Sequence, residues 1–315
     1  MLTRRVSLSG LALGSAYGFL ARFLMDNERF GDAFGVMTLA FLVVVPVAMG
    51  VMTVSPVDAP SWRYRLFAPW VPTLLAVLGA MIVGWEGSIC VYLGVPVLLL
   101  SASLGGIVGA SRSAQRRGVQ PMLALLPFIM APLEQRIATP EKFEETVTTI
   151  EVAAPPAVVW RFVSSVDSIR KSERRPALFT TMGFPRPVSA TLSRPGVGGV
   201  RRAEFEGGLV FTETVTDWQQ DKRLSFTIRP NTASIPAATL DPHVTIGGPY
   251  FDVLTGTYEL SATDGGKGTH LVLRSEHRVS TRFNLYAGWW AGRIMASIQQ
   301  NILVIEKGRA EGTVP

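Results

Sequence analysis

The chain has 315 residues, enough for two domains, and 48% of them are hydrophobic while 17% are charged. Its 30 Lys and Arg outnumber its 24 Asp and Glu, but the excess is scattered and lies partly between apolar segments, which argues against nucleic-acid binding. The single cysteine, Cys90, excludes a disulfide within the chain and a cysteine metal site.

Apolar segments dominate the first 134 residues. Crossing a bilayer as a helix takes about 20 apolar residues, and three segments reach that length. A fourth, after two arginines, is interpreted as a retained helix because its small-residue cleavage pattern is poor. The four segments are residues 6–21, 34–54, 66–85 and 87–110. We therefore expect residues 1–134 to form an α-helical membrane domain of four or five spans.

The arginines of this part predict its orientation in an inner or plasma membrane. A cytoplasmic N-terminus leaves only Arg22 and Arg29 on the opposite side. The arginines then on the cytoplasmic side are Arg4, Arg5, Arg63, Arg65, Arg112, Arg116 and Arg117. No predicted span carries an ionisable residue near its middle, as a transporter usually requires, so this part is interpreted as an anchor.

Residues 121–133 leave two topologies open, because the segment is apolar but short and contains Pro127 and Pro132. If it crosses the membrane, the C-terminal domain is extracytoplasmic. If it lies along the interface, that domain is cytoplasmic. The arginines before it and Glu134 after it favour a fifth span.

Beyond this point the pattern becomes strand-like. Residues 135–146 are interpreted as a polar linker, residues 147–310 as a folded domain and residues 311–315 as a tail. A strand over 146–152 and a helix over 157–163 are followed by a series of hairpin strands and a long helix over 282–306. The intervening strands are predicted at 188–193, 199–206, 209–218, 223–229, 251–262 and 270–280.

Three segments make residues 146–310 resemble the START-like or SRPBCC helix-grip superfamily, which includes polyketide cyclases and lipid-transfer domains. They are residues 150–169 (IEVAAPPAVVWRFVSSVDSI), 199–228 (GVRRAEFEGGLVFTETVTDWQQDKRLSFTI) and 256–273 (beginning GTYEL and ending GGKGTHLVL). The resemblance implies an α+β fold in which a curved antiparallel sheet wraps a long C-terminal helix. It also implies a mainly apolar cavity that holds a lipid, polyketide or similar molecule. The membrane segments lie outside it.

Two residues are candidates for chemistry in such a cavity. Glu213 shares a strand face with Phe211 and Val215, where it would bind a ligand head group or act as a general acid; the alternative is a solvated acid or one paired with Arg201 or Arg202. His277 shares a face with hydrophobic residues of its own strand, and its alternative is a satisfied or surface histidine. The predicted ligand-binding residues are Trp160, Phe211, Glu213, Phe226, Tyr258, Leu271, His277 and Trp289.

Residues 231–250 form a long, mostly uncharged insertion, which we interpret as a lid over the cavity that also touches the membrane. The adjacent Trp289 and Trp290 point about 100° apart on a helix, so we expect one to pack under the sheet and the other to meet the lid or the lipid interface. The nearby Gly288 and Gly292 either widen the cavity or permit close packing of helix on sheet.

The leading hypothesis is membrane-anchored binding of a hydrophobic small molecule, with transfer or sensing as its purpose, for which no catalysis is required. One alternative is a polyketide cyclase or dehydratase-type enzyme that uses Glu213 or His277. Another is a ligand-free structural partner of a membrane complex. The three histidines lack metal-ligand spacing, and no phosphate loop or dinucleotide fingerprint occurs in a suitable context. We therefore expect no metal, no cofactor and no nucleic acid; the expected partners are the lipid bilayer and a hydrophobic small molecule.

Overall fold

The computed structural model describes residues 7–25, 35–111, 119–231 and 245–313. The chain divides into two compact units, Met1–Thr139 and Pro140–Pro315. Several sequence predictions fall on residues outside the described ranges. These are most of the predicted lid, at 232–244, and the orientation signals Arg4, Arg5, Arg29, Arg112, Arg116 and Arg117.

The described part of the first unit is helical. Its helices are α1 (Leu8–Met25), α2 (Ala40–Val54), α3 (Trp62–Phe67), α4 (Trp70–Val83), α5 (Ser88–Gly109) and α6 (Val119–Gln135). Three helical segments are long and apolar enough to cross a membrane, namely α1, α3 with α4, and α5, while α2 and the apolar part of α6 are shorter.

Helix α2 is shorter than the sequence predicts. The expected segment over 34–54 becomes a helix only at Ala40, because Glu134 accepts hydrogen bonds from the backbone N–H groups of Leu39 and Ala40 at 2.8 and 3.1 Å. A carboxylate at this position satisfies amides that have no partner inside the helix, and it complements the helix dipole. Apolar composition alone therefore overestimated the length of this helix.

Close helix contacts in this unit depend on glycine. A Cβ atom on Gly105 of α5 would overlap the carbonyl oxygen of Val47 in α2, and one on Gly10 of α1 would lie 2.5 Å from the carbonyl oxygen of Thr53. Small residues permit such backbone approach where packing, not water exclusion, joins helices. The contacts set α1 antiparallel to α2.

Two polar contacts lie at one end of this unit. Arg22, in the last turn of α1, donates to Glu86 Oε1 and to the Trp85 carbonyl, both at 2.8 Å. Glu134, near the end of α6, caps the start of α2. Since α1 and α2 are antiparallel, both contacts lie at the same end. Helix α6 therefore runs in the direction of α1.

The second unit is a seven-stranded antiparallel sheet with a long helix. Its strands are β1 (Glu141–Val152), β2 (Pro187–Leu192), β3 (Val200–Phe205), β4 (Val210–Gln219), β5 (Arg223–Asn231), β6 (Phe251–Thr263) and β7 (Gly268–Ser280). The strand order is β1-β7-β6-β5-β4-β3-β2. The helices are α7 (Pro156–Ser164), α8 (Leu178–Thr181) and α9 (Asn284–Ala310). This sheet with its C-terminal helix is the helix-grip fold that the resemblance implied.

Strand β1 begins at Glu141, inside the segment interpreted as a linker. Its first residues pair with the end of β7, from Glu141 opposite Ser280 to Glu145 opposite Glu276. The sequence obscured this extension because the residues are charged and mostly exposed, as is common on an edge strand.

Helix α9 packs against one face of the sheet, which we call the inner face. Gln299 of α9 donates to the Thr146 carbonyl at 3.1 Å and to Ser275 Oγ at 3.0 Å, and it accepts from Thr148 Oγ1 at 2.6 Å. A buried amide with three such bonds fixes the helix against β1 and β7. The hydrophobic core lies on this same side and includes Leu303 of α9.

Candidate functional site

Alternate strand residues bring the predicted ligand-binding side chains to the inner face. Leu271, Phe226 and Tyr258 are buried and belong to the core that also contains Leu303 of α9. Phe226 lies flat over β6, since a Cβ atom at Gly256 would be only 2.5 Å from its ring. Burial on this face follows from the two-residue period of the strands.

Trp160 and Phe211 occupy different places on this unit. Trp160 of α7 is buried, and its ring meets Trp218 edge-on at a centroid distance of 5.0 Å. Phe211 is half-buried and packs on Phe205 with centroids 5.2 Å apart, beside a small separate cluster that includes Ala203. The two predicted lining residues therefore belong to separate apolar clusters.

Arg201 and Glu213 form a buried ion pair across β3 and β4. The register places the two residues opposite each other, and Arg201 Nη1 donates to Glu213 Oε2. Burial raises the pKa of the Glu213 carboxyl, although the Arg201 guanidinium opposes this shift. The guanidinium also lies 5.6 Å from the Phe226 ring centroid, a cation–π distance. The structure thus pairs Glu213 with Arg201, which was one of the two alternatives drawn from the sequence.

A second buried acid lies close to this pair. The Tyr258 hydroxyl donates to Glu306 Oε1 at 3.0 Å, and both side chains are almost fully buried. Burial raises the pKa of Glu306 to about 8, with the Arg201 charge lowering it and the Glu213 charge raising it. Glu306 is therefore protonated at neutral pH.

Glu306 is a residue that sequence reasoning missed. Its signal was present in α9, where residues 292, 295, 299, 303 and 306 recur at helical spacing and share one face. Two of these residues are polar, Gln299 and Glu306, and both are buried. A polar residue on the buried face of a helix either forms hydrogen bonds that hold the fold together, as Gln299 does, or belongs to a functional site.

His277 lies at another position on the inner face, at the β1 side of the sheet. Its side chain has no exposed surface, and neither ring nitrogen has a hydrogen-bond partner among the described residues. The nearest carboxylate is Glu144, which faces it from β1 with Oε2 3.7 Å from Nε2. Burial lowers the pKa of His277, and Glu144 partly counteracts this effect. The expectation that His277 points to the sheet interior agrees with this placement.

The glycines of α9 next to this histidine differ in their surroundings. A Cβ atom on Gly288 would lie 2.7 Å from both carboxylate oxygens of Glu144, so this glycine permits close packing. A Cβ atom on Gly292 would meet nothing within 4 Å. Because Gly292 lies about 40° from Gly288 around the helix, it also faces the sheet side. Open space therefore adjoins the inner face at Gly292.

The two adjacent tryptophans point in different directions, as expected for consecutive helix positions. Trp289, predicted as a ligand-binding residue, is 52% exposed, and Arg293 lies over its ring at 4.4 Å from the centroid. Trp290 is half-buried and its indole Nε1 is buried without a partner among the described residues. Trp290 is thus the more buried of the two tryptophans.

Family comparison agrees with this architecture. The model of the family described as polyketide cyclase/dehydrase and lipid transport matches residues 144–303. The match spans half of the chain, and the chain therefore belongs to this family. It supports the START-like resemblance drawn from the sequence.

Several solved structures are similar to the second unit. The aromatase/cyclase Zhui from Streptomyces sp. R1128 is 19% identical, with a TM-score of 0.32 over 54% of this chain and 94% of that one. A START superfamily protein from Mycobacterium smegmatis is 13% identical, with a TM-score of 0.34 over 54% and 99%. A conserved protein from Geobacillus kaustophilus is 12% identical, with a TM-score of 0.34 over 55% and 98%. None of the curated protein sequences matches this chain.

Proposed function

We propose that the second unit binds a hydrophobic small molecule between the inner face of the sheet and α9, and that the helical unit anchors this site in a membrane. The family to which the chain belongs is one of cyclases, dehydrases and lipid transport proteins, so a hydrophobic ligand accords with the family. Apolar burial at about 25 cal/mol per Å² supplies affinity for such a ligand without ionic contacts.

One observation carries this proposal. Among the described residues, Arg201 Nε, Glu306 Oε2 and both ring nitrogens of His277 are buried without a hydrogen-bond partner on the inner side of the sheet. Leaving a buried polar atom unsatisfied costs about 1–3 kcal/mol, and folded proteins seldom tolerate several such atoms in one region. A ligand with an apolar body and polar substituents would pack against the apolar side chains of this face and form hydrogen bonds with these buried polar atoms.

A pair of matched variants tests the proposal. Gly292→Leu fills the open space beside the inner face, whereas Gln300→Leu adds a leucine at an exposed position of the same helix. We expect the full chain in detergent micelles to bind pyrene saturably at one site, measured by energy transfer from tryptophan. The Gly292→Leu variant should bind at least about tenfold more weakly, and Gln300→Leu should bind like the wild type. Absence of saturable binding, or equal binding by both variants, would contradict the proposal.

Membrane anchoring has its own support. Three helical segments have the length and composition of membrane spans, and Arg22 and Glu86 form an ion pair at their common end, where their charges neutralise each other. Helix α6 runs in the direction of α1, so a crossing by α6 would give an odd number of passes. We propose this topology, which with a cytoplasmic N-terminus makes the second unit extracytoplasmic; if α6 lies along the interface, that unit is cytoplasmic.

Protease treatment of spheroplasts tests this topology. We expect added protease to degrade the second unit without lysis, while an N-terminal epitope tag stays protected until lysis. Protection of both ends would contradict the odd number of passes, and recovery of the intact chain in a carbonate-washed supernatant would contradict anchoring itself.

An enzyme is the second candidate function, and the His277–Glu144 pair favours it. A fully buried imidazole whose Nε2 lies 3.7 Å from a carboxylate has the arrangement of a general base and the group that orients it. If a reaction occurs, a His277→Asn variant should retain an unconverted molecule that differs in mass from the one extracted from wild type. Identical extracts from the two proteins would argue for binding alone.

A further inference from the structure

The first turns of α9 carry exposed apolar side chains. Leu285 is 86% exposed and Trp289 is 52% exposed, and the Arg293 guanidinium lies over the Trp289 ring at 4.4 Å from its centroid. These three residues follow one another at four-residue intervals, so they share one side of the helix. We call them the α9 stripe. A partner that covers the stripe would remove a leucine and a tryptophan from water, which favours binding.

The α9 stripe lies beside the point where the second unit begins. Asn284, the first residue of α9, donates from Nδ2 to the Pro140 carbonyl oxygen at 2.7 Å. Its Oδ1 accepts from the backbone N–H and the hydroxyl of Thr281 at 2.6 and 2.9 Å, which fixes the Asn284 side chain. The start of α9 is therefore held at Pro140, the first residue of the second unit.

A short connection keeps Pro140 close to the last apolar helix. Helix α6 ends at Gln135, and Pro140 is five residues further along the chain. Five residues span at most about 18 Å when fully extended, whatever the arrangement of the two units. If the chain is anchored as proposed, the polar end of α6 lies at the bilayer surface, whether α6 crosses the membrane or lies along its interface. The start of α9 is then within reach of that surface.

The charges of this helix suit an anionic lipid surface. Arg282 precedes α9 and Arg293 belongs to the α9 stripe, whereas residues 281–305 contain no Asp or Glu. Tryptophan is favoured at the level of the lipid head groups, and a long arginine side chain can extend from there to a phosphate. The stripe therefore combines the apolar and basic groups that an interfacial contact requires.

The first acids of β1 do not oppose such a contact, because each has a basic partner. Glu141 forms an ion pair with Arg278 at 2.9 Å. Glu144, whose carboxylate lies beside Gly288 of α9, forms an ion pair with Lys142. The charges of these two acids are thus balanced where the strand and the helix begin.

We infer that the α9 stripe docks on the surface of the bilayer that anchors the chain, with Leu285 and Trp289 among the lipid head groups and Arg293 at an anionic phosphate. This inference rests on the proposed membrane anchoring and goes beyond it, because anchoring requires only the spans, whereas docking also orients the second unit on the membrane. The short connection raises the effective concentration of the lipid surface at the stripe, so individually weak contacts suffice. Trp289 is then a lipid contact and not a lining residue of the ligand site.

Quenching of a fluorophore by spin-labelled lipid tests the inference on the full chain in vesicles of phosphatidylcholine and phosphatidylserine. The single native cysteine is replaced by Cys90→Ala, and the same nitrobenzoxadiazole label is attached to Leu285→Cys or to Gln300→Cys. Gln300 is also exposed but lies about 22 Å further along the helix axis. We expect the spin-labelled lipid to quench the label at position 285 strongly and the label at position 300 weakly.

Substitutions within the α9 stripe then separate docking from mere proximity. With the label at position 285, Trp289→Glu should abolish the quenching, whereas Gln300→Glu adds the same charge outside the stripe and should leave it unchanged. Arg293→Gln should lower the ratio of docked to undocked chains about fivefold, as expected for one basic residue at an anionic surface. Omission of phosphatidylserine should have an effect in the same direction.

The outcomes distinguish this inference from the proposed anchoring. Equal quenching at positions 285 and 300, or quenching that Trp289→Glu does not reduce, overturns the inference while anchoring stands, provided that the chain floats with carbonate-washed vesicles. A chain that does not float with them overturns the anchoring itself. Quenching that is independent of both Arg293 and phosphatidylserine overturns the anionic-phosphate contact. Should Trp289→Glu not fold, the comparison of positions 285 and 300 decides.

Discussion

Replacing Glu306 by Gln tests the buried, protonated acid on which the site depends. The side chain keeps its shape and its capacity to accept from Tyr258, but it can no longer ionise. In the wild type, folding raises the carboxyl pKa from 4.5 to about 8. Between these values the unfolded chain releases the proton and the folded chain retains it, so the free energy of unfolding decreases as the pH rises.

The size of this change in stability follows from the size of the pKa shift of Glu306. Each pH unit between 4.5 and 8 removes about 1.4 kcal/mol of wild-type stability relative to the variant, which sums to roughly 5 kcal/mol above pH 8. Below pH 4.5 the carboxyl is protonated in both states and contributes no slope. Glu306→Gln should therefore become steadily more stable than wild type as the pH rises from 5 to 8, with a constant difference beyond.

Urea unfolding of the full chain in micelles, followed by the fluorescence of the buried Trp160–Trp218 pair, measures this difference. An exposed acid on the sheet, Glu276, provides the control, and Glu276→Gln should show no comparable slope. A pH-independent difference between Glu306→Gln and wild type would instead mean that Glu306 is ionised and solvated in the folded protein.

Three further changes have definite expected results. Arg201→Met should destabilise the second unit by about 3–5 kcal/mol in urea unfolding, because Glu213 is left buried without its partner. The double variant Arg201→Met, Glu213→Leu should be within about 2 kcal/mol of wild type. An equal loss of stability in the single and double variants would contradict a buried ion pair. Gly105→Ala should lower the melting temperature of the helical unit, and Gly94→Ala, which has open space around it, should not. Burial lowers the pKa of His277, so the wild type should lose stability relative to His277→Asn as the pH decreases below 6.5 in urea unfolding; a difference between the two proteins that does not change with pH would contradict a buried neutral imidazole.

The fold of the second unit was predictable because its signals are local and mutually consistent. Alternation placed Glu213 and His277 on the inner face, and turn residues separated the strands near the observed boundaries. The sequence did not predict the first residues of β1 as a strand, because charged edge residues carry no alternating apolar pattern. These residues are held by pairing with β7, which is distant in the sequence, so the local pattern cannot indicate the pairing.

The site was only partly predictable for the same reason. The choice between a solvated and a paired Glu213 depended on Arg201, whose position opposite it is set by strand register. Glu306 and Glu144 enter through α9 and β1, which are distant from Glu213 and His277 in sequence. Helical periodicity also did not indicate that Trp290 is more buried than Trp289, because Trp290 lies on the opposite side of α9 from Gln299.

The most direct measurement is solvent extraction of the purified full chain, followed by mass spectrometry of what is released, with the Gly292→Leu variant extracted in parallel. We expect one hydrophobic small molecule per wild-type chain and its loss from the variant. Extracts that contain only bulk membrane lipid, in the same amount from both proteins, would contradict it.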